Sequence, residues 1–180
     1  MEIHLQTPWQ KLNDHTDRIF SELKKYPEDI LQKKPNAQTW SASQNIVHLI
    51  NAERKSLEYM QKKINLTELN TVEKAGWRSS FRLLALRTAF ALPGLKFKAP
   101  SYIEPLAIKD LKTLQSEWSG LRKEYQNFLD TLPQQWAQAE LWKHQRAGKM
   151  SVKQMLIFFT DHVDRHAQQI NRTLKQVTSV

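Results

Sequence analysis

His162 and His166 stand four residues apart in a segment that reads as the interior of a long helix. That spacing stacks two imidazoles on one helical face, one above the other, as two ligands to one metal ion must sit. Met155, Phe158 and Phe159 fall on the same side, so the pair is expected to point inward. Neutral imidazole suits zinc, nickel and iron(II) alike, and ligand type does not separate them. Three such nitrogens would leave a divalent ion its full charge and an open position; on zinc, a water there has a pKa of ~7. The chain has no cysteine, so any sulfur nucleophile must come from a low-molecular-weight thiol, which the metal would hold as thiolate.

The candidate third ligand is His48, seven residues after the helix-start signal at Ser41; His162 and His166 follow theirs, Ser151, by eleven and fifteen. At 1.5 Å per residue these depths are about 10, 16 and 22 Å, so the three meet only if their helices are staggered or tilted. Ile46, Leu49, Ile50, Leu57 and Met60 form the aliphatic stripe of that helix, and His48 points nearly opposite, beside Gln44, Ala52, Lys55 and Tyr59. Two readings follow: a surface histidine, or a second helix face lining a wet pocket. Periodicity alone does not choose between them.

The elements that must position these residues are helical. The chain has only four glycines, and its apolar residues recur at helical spacing. Thr7-Pro8-Trp9-Gln10 reads as the first helix start, with Pro8 at the first helical position and Pro27 as the stop. Residues 28–33 suit a short extra turn. Ser41 and Gln44 form a second start signal, opening a helix to about Lys63. A third helix is expected from about Glu68 to Leu92, carrying Trp77, Phe81, Leu84, Ala85, Thr88 and Leu92. A Pro-bearing connection over 93–109 precedes a fourth helix, roughly Asp110 to Leu132. A loop with Trp136, Trp142, His144 and Gly148 then leads to Ser151 and Gln154, a third capping box, and to the last helix. The expectation is an all-α protein without a sheet: a four-helix bundle with an additional helix and long crossover loops, in one domain over 1–180.

Around the histidines the sequence offers partners with double readings. Glu53 lies on the aliphatic stripe and reads as a buried polar partner or a bundle-end salt bridge. Asp161 and Asp164 flank His162 but point off its face, as surface charges would. Tyr59 shares the face of His48 and can donate to a bound oxygen. Arg165 suits either a carboxylate substrate or a helix brace. His144 reads as a loop cap, and His4 and His15 as structural or solvated. Trp40, Trp77 and Trp118 read as core, Trp136 and Trp142 as pocket walls.

The 180-residue chain carries a net charge of +9, but its Lys and Arg are spread over every segment, a solvated helical surface rather than a nucleic-acid footprint. Mixed residues at the N-terminus show no signal-peptide core, and no apolar run approaches the ~18 residues of a membrane span. A cytoplasmic protein is expected, with a small-molecule substrate, no nucleic-acid or membrane partner, and a homodimer as the assembly to test.

Several short motifs fall in one order and spacing: Trp40-Ser41-x-x-Gln44-x-x-x-His48-Leu49-x-x-x-Glu53, then Lys96-Phe97-Lys98-Ala99-Pro100, then His144-x-x-x-Gly148-Lys149-Met150-Ser151, then His162-x-x-Arg165-His166-x-x-Gln169-Ile170. Together they resemble the DinB-like metalloenzyme family over most of residues 40–170. That resemblance implies a helical bundle with a three-histidine divalent-metal site, and His48, His162 and His166 as its ligands. It implies a thiol transferase or a hydrolase of unknown substrate, with a non-catalytic metal- or ligand-binding bundle or interaction module as the alternative. Gln44 stands where an acidic residue is also common in that family, so a carboxylate there is not available to this chain.

Overall fold

The computed structural model describes residues 1–92, 103–105 and 107–179. Four long helices make the frame: α1 (Ile3–Leu23), α3 (Ala42–Leu66), α5 (Leu111–Thr131) and α7 (Val152–Thr178). Each packs on two of the others, in the order α1, α7, α3, α5 and back to α1. The short α2 (Glu28–Gln32) touches α3 and α7, α4 (Trp77–Ala91) lies along α7, and α6 (Gln134–Gln138) precedes a hairpin. The expected all-α bundle is therefore present.

Local chemistry explains where these helices begin. The Ser41 hydroxyl accepts from the Gln44 N–H at 3.1 Å while the Gln44 side chain accepts from the Ser41 N–H at 3.1 Å. Ser151 and Gln154 repeat the box at the head of α7, and Asp110 caps α5 through the Thr113 N–H at 2.8 Å. Each such cap is worth about 1 kcal/mol. The boxes matter here because they fix the phase of α3 and α7, the two helices that carry the histidines.

A buried ion pair ties three frame helices. Glu53 on α3 is fully buried and accepts from Arg122 on α5 through both oxygens, at 2.5 and 3.1 Å, and from the Trp118 indole at 3.2 Å. Arg122 also donates to Thr16 of α1 at 2.7 Å and lies over the rings of Trp9 and Trp118. Glu53 is thus the buried polar partner of the first reading, and the salt bridge it makes lies in mid-helix rather than at a bundle end.

Four expectations need correction. Helix α1 starts at Ile3, not at Thr7, and Pro8 lies inside it. Leu5, wholly buried, extends the apolar stripe one turn upstream of Trp9, which outweighs the one hydrogen bond that Pro8 cannot donate. Helix α4 starts at Trp77 rather than Glu68: residues 69–71 form a 3₁₀ turn, and Lys74 then bridges Ala139 in an extended pairing. The face assigned to α4 is also reversed. Trp77, Phe81 and Leu84 are 77%, 66% and 59% exposed, while Leu83 and Leu86 are buried. Trp77, Phe81 and Leu84 form the more regular stripe, but the face that packs on α7 is the one carrying Leu83, Leu86 and Phe90.

Lastly, the chain is not free of sheet. Two short antiparallel strands, β1 (Trp142–His144) and β2 (Gly148–Met150), pair Trp142 with Met150 and His144 with Gly148. Gly148 has φ +90°, which closes the three-residue loop between them, and the side chain of Arg82 lies 3.6 Å from where a Cβ would stand. The motif at 96–100 and most of the connection 93–109 lie outside the described residues. Among the described residues, no helix is long and apolar enough to cross a membrane.

Candidate metal centre

The first turns of α3 are buried on every side: each residue from Ala42 to Ile50 is covered. One side is the aliphatic core. The other is roofed by the segment leading into α5, where Gln44 Nε2 donates to the Pro105 carbonyl at 3.3 Å and Ser43 Oγ to the Lys109 carbonyl at 2.7 Å. His48 therefore points inward although it opposes the aliphatic stripe. The stagger that the helical depths demanded is met. The ring centroids of His48 and His166 are 4.8 Å apart, those of His48 and His162 5.3 Å, and those of His162 and His166 4.7 Å. One nitrogen from each lies within 4.8 Å of the others, and all three side chains are buried.

The outer hydrogen bonds decide which nitrogen faces inward. His48 Nδ1 is 3.0 Å from the Ile103 carbonyl oxygen, which can only accept, so Nδ1 carries the proton and Nε2 the lone pair. His166 Nδ1 is 2.8 Å from Asn45 Oδ1. The amide of Asn45 cannot be flipped without loss, because its Nδ2 donates to the Ser41 carbonyl at 2.9 Å. His166 is thus also protonated at Nδ1 with Nε2 free. Such outer acceptors accompany metal-binding histidines and hold the ring in its ligating tautomer. His162 differs: its Nδ1 is buried with no hydrogen-bond partner. A buried polar atom without a partner is costly, and a bound cation facing that ring is the partner that would remove the cost.

Burial also keeps the set neutral. It pushes His162 and His166 well below the ordinary imidazole range, helped in both by His48 and Arg165 and, at His162, by His166 and His144. His48 is lowered by burial too, opposed by its bond to Ile103. The ligating form is therefore already present near neutral pH. The walls are aromatic. Trp40 lies 5.0 Å from His48 and stacks on His166 at 6.4 Å, and Phe158 and Phe90 stack on His162 at 5.4 and 5.9 Å.

The remaining candidates fall into place around this cluster. Asp161 pairs with Arg87 at 2.8 Å and Asp164 with His15 at 2.5 Å, so both turn away from the imidazoles, as their off-face positions indicate. Arg165 donates to the Phe90 carbonyl at 3.1 Å and covers the Phe90 ring, bracing α4 on α7. His144 caps the hairpin loop through Nδ1. Tyr59 is not at the site: it is 38% exposed and eleven residues beyond His48, about 16 Å along the helix. Trp118 is core, but Trp77 is exposed and Trp40 belongs to the site wall. Trp142 packs on Phe158, and Trp136 is buried. Sequence reasoning misses Asn45, Ile103 and Phe90. Asn45 has a legible signal, a polar residue one turn beyond a cap within an otherwise apolar face; Ile103 acts through its main chain and has none.

Compared with known proteins, residues 9–170 match the family model described as the DinB superfamily. No curated protein and no solved structure matches.

Proposed function

The chain belongs to the DinB superfamily, and on that premise we propose a divalent-metal-dependent enzyme, a thiol transferase or hydrolase of a small molecule, with His48, His162 and His166 as the metal ligands. The observation that carries this reading is the buried convergence of three neutral imidazoles from two helices, two of them locked with Nε2 free. Zinc, nickel and iron(II) all suit this donor set. A divalent ion held there supplies Lewis acidity, acidifying a water or a thiol. The protein's own contribution is orientation and an apolar wall: Asn45 and Ile103 fix two rings, and Trp40, Phe90 and Phe158 pack against the imidazoles.

A non-catalytic metal- or ligand-binding bundle is the second reading. It is favoured by the prior engagement of three carboxylates: Asp161 and Glu53 are in ion pairs with Arg87 and Arg122, and Asp164 is held against the His15 ring. One experiment separates the two. Metal analysis should find about one divalent ion per chain in the wild type and little in His166→Ala. The metal-loaded protein is then screened against electrophiles and esters, with and without low-molecular-weight thiols, beside His162→Ala. Turnover needing thiol and metal supports the transferase, and turnover with metal alone the hydrolase. Equal metal content in wild type and His166→Ala would overturn the ligand assignment.

A further inference from the structure

Helix α4 has two faces. Toward α7 it presents Ser79, Leu83, Leu86 and Phe90, the first three buried and the last stacked on His162. Opposite stand Trp77, Phe81, Leu84, Ala85 and Thr88, continued just past the helix end by Leu92, and at 3.6 residues per turn all six fall within about 100° of arc. All six are exposed, and none is charged. Of the eight large apolar side chains that stand exposed among the described residues, four belong to this stripe; the others are spread over α1, α3 and a loop. Apolar residues exposed singly are ordinary, but a contiguous patch marks a surface that meets something.

Area and shape say what it meets. Trp77, Phe81, Leu84 and Leu92 are 77%, 66%, 59% and 53% exposed, so together they present on the order of 500 Å². Two such patches face to face would bury about 1,000 Å², the size at which a specific interface begins. The stripe also complements itself. With α4 antiparallel to its own copy and the two-fold axis between residues 84 and 85, Trp77 meets Leu92, Phe81 meets Thr88 and Leu84 meets Ala85. Each bulky side chain then faces a smaller one.

The charges beside the stripe fit the same occupant. Arg87 donates to Asp161 at 2.8 Å, Arg82 to Glu140 at 3.4 Å and to the Lys149 carbonyl at 2.8 Å, and Arg78 lies over the Trp77 ring. The three arginines of α4 thus have places within their own chain, and the helix carries no acidic residue. An acidic segment or an anionic membrane would have to draw these cations from those partners. A second copy needs no charge from the face at all.

We propose that the outer face of α4 is a homodimer interface, in which Trp77, Phe81, Leu84 and Leu92 of one copy pack on the same stripe of a second. The proposal does not rest on the metal-site reading. Sedimentation velocity of the full chain over about 1–300 μM protein, at about 0.1 and 0.5 M sodium chloride, reads the assembly. The expected result is a monomer–dimer equilibrium that salt strengthens, because each copy carries a net charge of +9 and salt screens the repulsion. Phe81→Glu sets a charge at the centre of the face, and a two-fold contact carries every change twice. It should weaken association at least about 100-fold with unchanged circular dichroism. Leu66→Glu, at an exposed leucine of α3, should leave association as it is.

The chain has no cysteine, so a single thiol tests the register. Ala85→Cys should be joined to its counterpart by a short bismaleimide, and Leu66→Cys should not; this comparison decides even if Phe81→Glu fails to fold. A monomer at every concentration, or a dimer indifferent to Phe81→Glu, overturns the proposal. A monomer that binds phosphatidylserine vesicles, and loses that binding in Phe81→Glu, overturns it in favour of a membrane surface.

Discussion

Asn45→Ala should weaken metal binding without dismantling the fold. Asn45 is wholly buried, and its side chain makes two bonds: Nδ2 to the Ser41 carbonyl and Oδ1 to His166 Nδ1. The first holds the amide so that only oxygen faces the histidine, and the second holds the imidazole with Nε2 inward. Alanine removes both. The His166 ring is then free to turn, and its Nδ1–H is left in a buried site without an acceptor. Loss of an outer acceptor costs metal-binding histidines about 10–100-fold in affinity, or about 1.4–2.7 kcal/mol. The orphaned N–H adds about 1–3 kcal/mol against the apo fold. Competition for zinc with a chromophoric chelator reads the first figure, and denaturant unfolding of chelator-treated protein reads the second. Asn45→Asp restores an acceptor at the same place and should recover most of the affinity while losing the bond to Ser41. An Asn45→Ala protein with native circular dichroism and unchanged zinc affinity would refute the claim that this amide sets the ligand tautomer.

Glu53→Gln should cost up to about 3–5 kcal/mol in denaturant unfolding, because Arg122, 13% exposed, is left largely covered without its counter-charge; replacing both with apolar residues of similar volume should cost far less, and equal losses would show that the pair acts through packing. In chelator-treated protein, stability should fall as pH drops below about 6.5. His48, His144, His162 and His166 all have lowered folded values, so the unfolded chain takes up protons that the folded chain refuses. The slope is up to about 1.4 kcal/mol per pH unit for each histidine, and for His144 it ends at about 4. An unfolding midpoint unchanged between pH 6.5 and 5 would contradict neutral burial.

The parts of the fold that are legible in the sequence share one property: their signal is local. The boxes at Ser41 and Ser151, the start of α5 near Asp110 and the four-residue spacing of His162 and His166 can each be read within a single turn, and each is present. What is not legible depends on partners distant in sequence. The regular stripe of Trp77, Phe81 and Leu84 reads as a buried face until α7 is there to choose the other one. The inward turn of His48 needs the roof over α3, made from residues more than fifty positions later. The hairpin has one local sign, Gly148, but three-residue strands are too short for alternation to declare them.

The roof over α3 has a thermodynamic consequence. His48 is oriented by a main-chain carbonyl of Ile103, in a segment also fastened to the helix head through Pro105 and Lys109. No substitution of the Ile103 side chain deletes that carbonyl, so position 103 is open to sequence drift while its contribution persists. Occupancy of the cluster and seating of the segment are then linked equilibria: whatever factor seating adds to metal affinity, the metal adds to seating. Cleavage by a protease within residues 103–109 should accordingly slow as metal is added, and in His48→Ala it should become indifferent to metal.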